Sequence, residues 1–169
     1  GRLQAMLGDR SGALRLFQRS LECLAHAPDR LLVGNAYLEA ASILFVQGDG
    51  GKAQDYLCRG LRLFVDMEDD KGIAMTLLLL SRICEAAGSP DLAVSFADTV
   101  LELCRSRGFT GWAGRAHVIR GEEASRSGDF AVSDLHFRKA RVILRGLGWK
   151  VEESCLDLEM GWECYRKRD

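Results

Sequence analysis

Four glycines, Gly8, Gly48, Gly88 and Gly128, recur at a spacing of 40, and Asp9, Asp49, Ser89 and Asp129 follow them directly. Self-similarity at a fixed period constrains a fold more than any single motif. Other positions keep the same register. Ala13, Ala53, Ala93 and Ser133 lie five residues after each glycine, and Gly1, Ala41, Ser81 and Gly121 seven before, a series that Gly161 continues. Phe17, Leu57, Ala97 and Phe137 follow, then Leu24, Phe64, Cys104 and Leu144. A glycine closing an apolar-periodic stretch suits the left-handed residue after a helix. An Asp or Ser next to it suits the N-cap of another helix, its side-chain oxygen accepting a free backbone N–H. Pro90 follows Ser89 and falls where the first helical residue needs no N–H. Each pair therefore stops one helix and starts the next, and so short a turn makes the two antiparallel.

The expected fold is all-α, with strands disfavoured by the dominance of Ala, Leu, Arg and Glu. The pattern predicts helices over 2–7, 10–26, 30–47, 50–66, 70–87, 90–106, 111–127, 130–145 and 150–167. The second-to-first-helix connections, which carry Pro28-Asp29, Asp69-Asp70, Gly108 to Thr110 and Gly146 to Gly148, are expected to be the longer ones. Repeat units are expected at 1–28, 29–68, 69–108 and 109–148, with a final helix at 149–169, all in a single domain. The chain begins part-way through a helix and reads as a segment of a longer protein, and the apolar ends of a cut array could pair into oligomers.

Composition narrows the function classes. With 47% hydrophobic and 28% charged residues and a net charge of −1, the chain is neither disordered nor a basic nucleic-acid binder. Its longest apolar run, Leu77 to Leu80, is far short of the roughly 20 residues a membrane-spanning helix needs. Six cysteines without a C-x-x-C pair read as reduced, core-filling residues of a cytoplasmic protein. His26, His117 and His136 show no metal-ligand spacing, and no cofactor is expected. Glu122-Glu123 and Asp69-Asp70 are adjacent on helices, so they point apart and read as solvated or helix-start acids. The fourth unit carries Arg115, Arg120, Arg126, Arg138, Lys139, Arg141 and Arg145, read as matching charges on neighbouring units rather than as a nucleic-acid surface.

These positions resemble the tetratricopeptide repeat family. Its bulky position 4 falls on Tyr37, Leu77 and His117, which makes His117 a packing residue. Its small positions 8, 20 and 27 fall on Ala41, Ser81, Gly121 and Gly161, on Ala13, Ala53, Ala93 and Ser133, and on Ser20, Gly60, Val100 and Ala140. The period is 40 rather than 34, Ala97 and Val100 are atypical, and the proline after the second helix is mostly missing. Forty-residue units are similar to those of bacterial signalling regulators of the MalT and LuxR type and of kinesin light chain.

The resemblance implies a right-handed superhelical array of antiparallel helix pairs that binds a protein or peptide in a concave groove, without catalysis. The groove positions carry over to Asn35, Leu38, Ser42 and Phe45, to Met75, Leu78, Arg82 and Glu85, and to Arg115, Val118, Glu122 and Ser125. On the last helix they are Cys155, Leu158, Trp162 and Tyr165, with Trp162 and Tyr165 as aromatic anchors. Leu38, Glu39 and Ser42 do not fit the clamp that grips a chaperone's terminal carboxylate. The alternative is an arm that senses a small effector within a larger signalling or transcription regulator.

Overall fold

The computed structural model describes residues 10–24 and 29–166, and the expected helix at 2–7, with Gly8 and His26, lies outside them. The described residues form eight helices and no strand: α1 (Arg10–Leu24), α2 (Arg30–Val46), α3 (Gly50–Asp66), α4 (Asp70–Ala86), α5 (Pro90–Arg107), α6 (Gly111–Arg126), α7 (Phe130–Gly146) and α8 (Lys150–Arg166). No described helix is long and apolar enough to cross a membrane. The chain divides into two compact units, Gly1–Ile83 and Cys84–Asp169.

The helix ends follow from the glycine–aspartate pairs. After α2 the Gly48 N–H donates to the Phe45 carbonyl (3.0 Å) and the Asp49 N–H to the Leu44 carbonyl (2.9 Å), with Gly48 at φ +87°. This six-to-one closure uses two carbonyls the helix end would leave orphaned. The Asp49 carboxylate then accepts the Lys52 N–H and starts α3. One residue thus finishes one helix and caps the next. Asp129 does the same between α6 and α7. Ser89 departs from expectation, since its side chain makes no cap bond and Pro90 begins the helix without one.

The links after α3 and α5 are not longer than the others. Each link from α2 onward has three residues, and positive φ recurs at Gly48, Glu68, Gly88, Gly108, Gly128 and Gly148. The punctuation therefore repeats every 20 residues, with Glu68 (φ 53°) standing where the other turns carry glycine.

Burial separates two kinds of helix. The second helices bury a single stripe: Ala53, Leu57, Gly60 and Phe64 on α3, Ala93, Ala97, Val100 and Cys104 on α5, and Ser133, Phe137, Ala140 and Leu144 on α7. The i, i+4, i+7, i+11 spacing is one helical face. The first helices bury more than one face. On α2 these are Gly34, Ala36, Leu38, Ala40, Ala41, Ile43 and Leu44. Small residues admit large ones across each pair. A Cβ at Gly34 would lie 2.8 Å from the Phe64 ring, one at Gly114 would lie 2.9 Å from Leu144, and one at Gly121 would collide with Phe137.

The cysteines depart from the core-filling expectation. Cys104 is buried, and burial pushes its thiol up to about 11, whereas Cys23, Cys58 and Cys155 are exposed.

Candidate functional site

The second unit holds a hollow of about 710 Å³ where the turn from α4 to α5 and the turn from α6 to α7 lie side by side. Its charged lining is Glu85, Asp91, Glu123 and Asp129 with Arg120 and Arg126; Pro90, Val94 and Val132 supply apolar wall. Four carboxylates against two guanidiniums leave a net charge of −2. Among the described residues no aromatic side chain lines it.

Geometry explains the lining. Arg126 closes α6 and reaches both ways, donating to Glu123 one turn back and to Glu85 at the end of α4. The two carboxylates are about nine-tenths buried, while the guanidinium keeps 45% of its exposure. A buried carboxylate needs such a partner, because its desolvation is otherwise uncompensated. Glu123 is therefore a buried ion-pair residue, against the solvated reading of the Glu122-Glu123 pair. Arg120 lies on the same helix, its Nε 3.3 Å from the Asp98 carboxylate.

Of the groove residues expected from sequence, Glu85 alone lines this hollow. Asn35 and Arg82 are exposed, and Ser42, Met75 and Glu122 are half-buried. The Ser42 hydroxyl donates to the Leu38 carbonyl of its own helix (2.9 Å). Leu38 and Leu78 are 8% and 7% exposed, so this register is core rather than groove. Val118 packs against the cluster of Phe137, Ala140, Leu144 and Leu156, and Ser125 is buried too. Trp162 and Tyr165 lie on α8, and their side chains fall outside the described residues, as does that of Ala13 on α1.

Arg115 belongs to a different cluster. Its guanidinium lies 5.3 Å from the ring centroids of both Trp112 and Trp149, which meet edge to face, and it donates to Glu152 (2.6 Å). That hydrogen bond holds the Glu152 carboxyl below its usual range. Of the remaining arginines of the fourth unit, Arg141 pairs with Asp157 and Arg145 with Glu153 on α8, as charge matching between units expects, whereas Arg138 pairs with Asp134 on its own helix.

The histidines hold one surprise. His117 Nδ1 lies 3.0 Å from His136 Nδ1, a distance at which one imidazole donates and the other accepts. Burial, then the His136 ring and the Lys139 and Arg120 charges, holds His117 down at about 4; burial and the same two cations also lower His136. The pair occupies the register of Tyr37 and Tyr56, whose rings meet edge to face at 5.6 Å. Residues 117 and 136 are thus a packing pair across a hairpin, as expected for His117 but not for His136. Among the described residues no group of three or more His, Cys, Asp or Glu is arranged to hold a metal ion.

The hollow's other members, Asp91, Arg120, Glu123, Arg126 and Asp129, were not singled out from sequence as site residues. Their one legible signal is that the Gly88 and Gly128 turns lie 40 residues apart, which puts equivalent helix ends next to each other. No protein-family model matches this chain, and no curated protein shows significant similarity to it.

Proposed function

We propose that the chain is a non-catalytic binding module of the tetratricopeptide type, a right-handed superhelical array of helix pairs that takes a peptide or helix of a partner protein. The observation that supports this reading is the charged hollow of the second unit. Small-ligand sites are mostly apolar and aromatic with a few polar groups. Here the proportion is reversed: among the described residues of the lining, carboxylates and guanidiniums dominate and none is aromatic. Such a lining suits a solvated polypeptide segment, and the excess of carboxylates favours one that carries Lys or Arg. Asp91 is exposed and available to such a cation, while Arg126 keeps Glu85 and Glu123 in place. Among the described residues five cysteines are unpaired, three of them exposed, which suits a reducing compartment such as the cytoplasm.

An effector-sensing arm is the second reading, favoured by the volume, which lies within the range of about 300–1,000 Å³ common to small-molecule sites. A nuclear magnetic resonance titration separates the two. Basic, neutral and acidic peptides and a metabolite mixture are added to the wild type and to Asp91→Lys. Basic peptides should shift resonances around Asp91 and Glu123, and the variant should bind them several-fold more weakly. Shifts from a metabolite alone would replace the first reading with the second.

A further inference from the structure

The two arginines of the hollow are bound unequally. Arg126 is matched by both Glu85 and Glu123. Arg120 has far less. Its Nε is buried and makes no hydrogen bond among the described residues, and its ion pair is with an Asp98 oxygen at 3.3 Å, on a carboxylate that is 53% exposed. An exposed partner at that distance compensates a guanidinium weakly. The Arg120 side chain keeps 28% of its exposure and lines the hollow, so a ligand there can reach it. Its residual charge shows in its neighbours. One helical turn beyond the hollow's walls, Val94 and Val132, lie Asp98 on α5 and His136 on α7, with Lys139 a further turn along. Burial is the first cause that lowers His136; the Arg120 and Lys139 charges lower it further, and Asp98 opposes them with a smaller effect than either. His117, on α6, is likewise lowered by burial, His136, Lys139 and Arg120. Asp98 thus leaves the field of Arg120 largely in place.

We propose that the hollow takes a peptide of two charges, and that Arg120 seats a side-chain carboxylate of the same segment whose Lys or Arg meets Asp91. The inference rests on the peptide-binding reading of the hollow and names the second charge of its ligand. A guanidinium is a rigid fork with more than one hydrogen-bonding edge. Asp98 stands at the Nε edge, which leaves the edge formed by the two Nη groups for a carboxylate in the hollow. Paired in that way, a carboxylate and a guanidinium form two parallel hydrogen bonds. The spacing of the two charges follows from α5. Asp91 and Asp98 are seven residues apart, about 10 Å along a helix that rises about 1.5 Å per residue. An extended peptide covers that distance in about three residues. The bound segment therefore carries its carboxylate roughly three positions from its cation.

The probes are short peptides capped at both ends, with lysine at the second position and either glutamate or glutamine at the fifth. They are titrated into the full chain and followed by nuclear magnetic resonance. The glutamate peptide should bind several-fold more tightly than the glutamine one. Its carboxylate should also raise the titration midpoint of His136, because it offsets the field of Arg120, while the glutamine peptide should leave that midpoint unchanged. Arg120→Gln should make the two peptides equal. Asp98→Asn should widen the difference between them, a gain that misfolding does not produce. The inference is overturned if Arg120→Gln keeps the preference, or if only a peptide ending in a free carboxylate shows one. It is overturned too if the wild type binds both peptides equally, in which case the cation site of the hollow stands without this one. If neither peptide binds, both readings fall.

Discussion

At the scale of single residues, the chain's regularity makes each position its own control. Gly48 sits at φ +87° with open space where a Cβ would go, so any cost of substitution is conformational rather than steric. Gly48→Val should lower unfolding stability by more than about 1 kcal/mol in urea, because a β-branched residue resists the left-handed region. Lys52→Ala, which removes only an exposed ion pair to Asp49, should cost less than about 0.5 kcal/mol. Equal losses in the two would sink the turn geometry. Ser133 offers the opposite case. It is fully buried and its hydroxyl has no partner, whereas Ala53 and Ala93 fill the same register. Ser133→Ala should stabilise the fold by about 1 kcal/mol, since an unsatisfied buried polar group is removed without a cavity. A loss of stability on calorimetry would mean that the hydroxyl is satisfied in solution.

At the scale of elements, the helix ends were legible and the contacts between helices were not. Every helix boundary from α2 onward falls within one residue of the glycine-based expectation. A glycine at positive φ and an acidic cap are local chemistry, written in two adjacent letters. Glu68 breaks that alphabet, and only the 20-residue spacing could have revealed it. The His117–His136 pair was invisible for another reason. Its members are 19 residues apart on α6 and α7 and meet only once the hairpin closes. The hollow was hidden likewise, because four carboxylates from separate helix ends become one feature only through packing.

The histidine pair carries a pH signature. In the unfolded chain the imidazoles titrate near 6.5, while in the fold His117 is held at about 4. The folded state therefore binds fewer protons between these values. Stability is complete above about pH 6.5, falls as pH drops toward 4, and loses no more from this group below that. Partial exposure reduces the effect to on the order of 1–2 kcal/mol. Replacing the pair by His117→Tyr and His136→Tyr, after the Tyr37–Tyr56 pair, should flatten this part of the profile. An unchanged slope in the double variant would assign the acid sensitivity elsewhere.

Over the whole molecule, charge is nearly balanced, with 23 basic and 24 acidic residues. In the second unit the arginine–carboxylate pairs join successive helices (Arg120–Asp98, Arg141–Asp157 and Arg145–Glu153), helices two apart (Arg115–Glu152 and Arg126–Glu85) or turns of one helix (Arg138–Asp134). Each of these has at least one partner more than a third exposed. Exposed pairs contribute little and are screened by salt. Raising sodium chloride from about 0.05 to about 0.5 M should therefore change unfolding free energy by less than about 1 kcal/mol. A change of several kcal/mol in denaturant titrations would show that the pairs act as a network.

The short turn between each helix and the next governs how such a chain can change in length. A residue inserted within a helix rotates every later side chain by about 100°, turning buried stripes outward beyond the insertion. With only three residues between helices, no slack absorbs the slip. Twenty added residues restore the punctuation but exchange the roles of first and second helices, setting two-faced sequence where a one-faced stripe is needed. Forty restore both. Descent by whole-hairpin duplication is thus the growth step that leaves every existing seam intact.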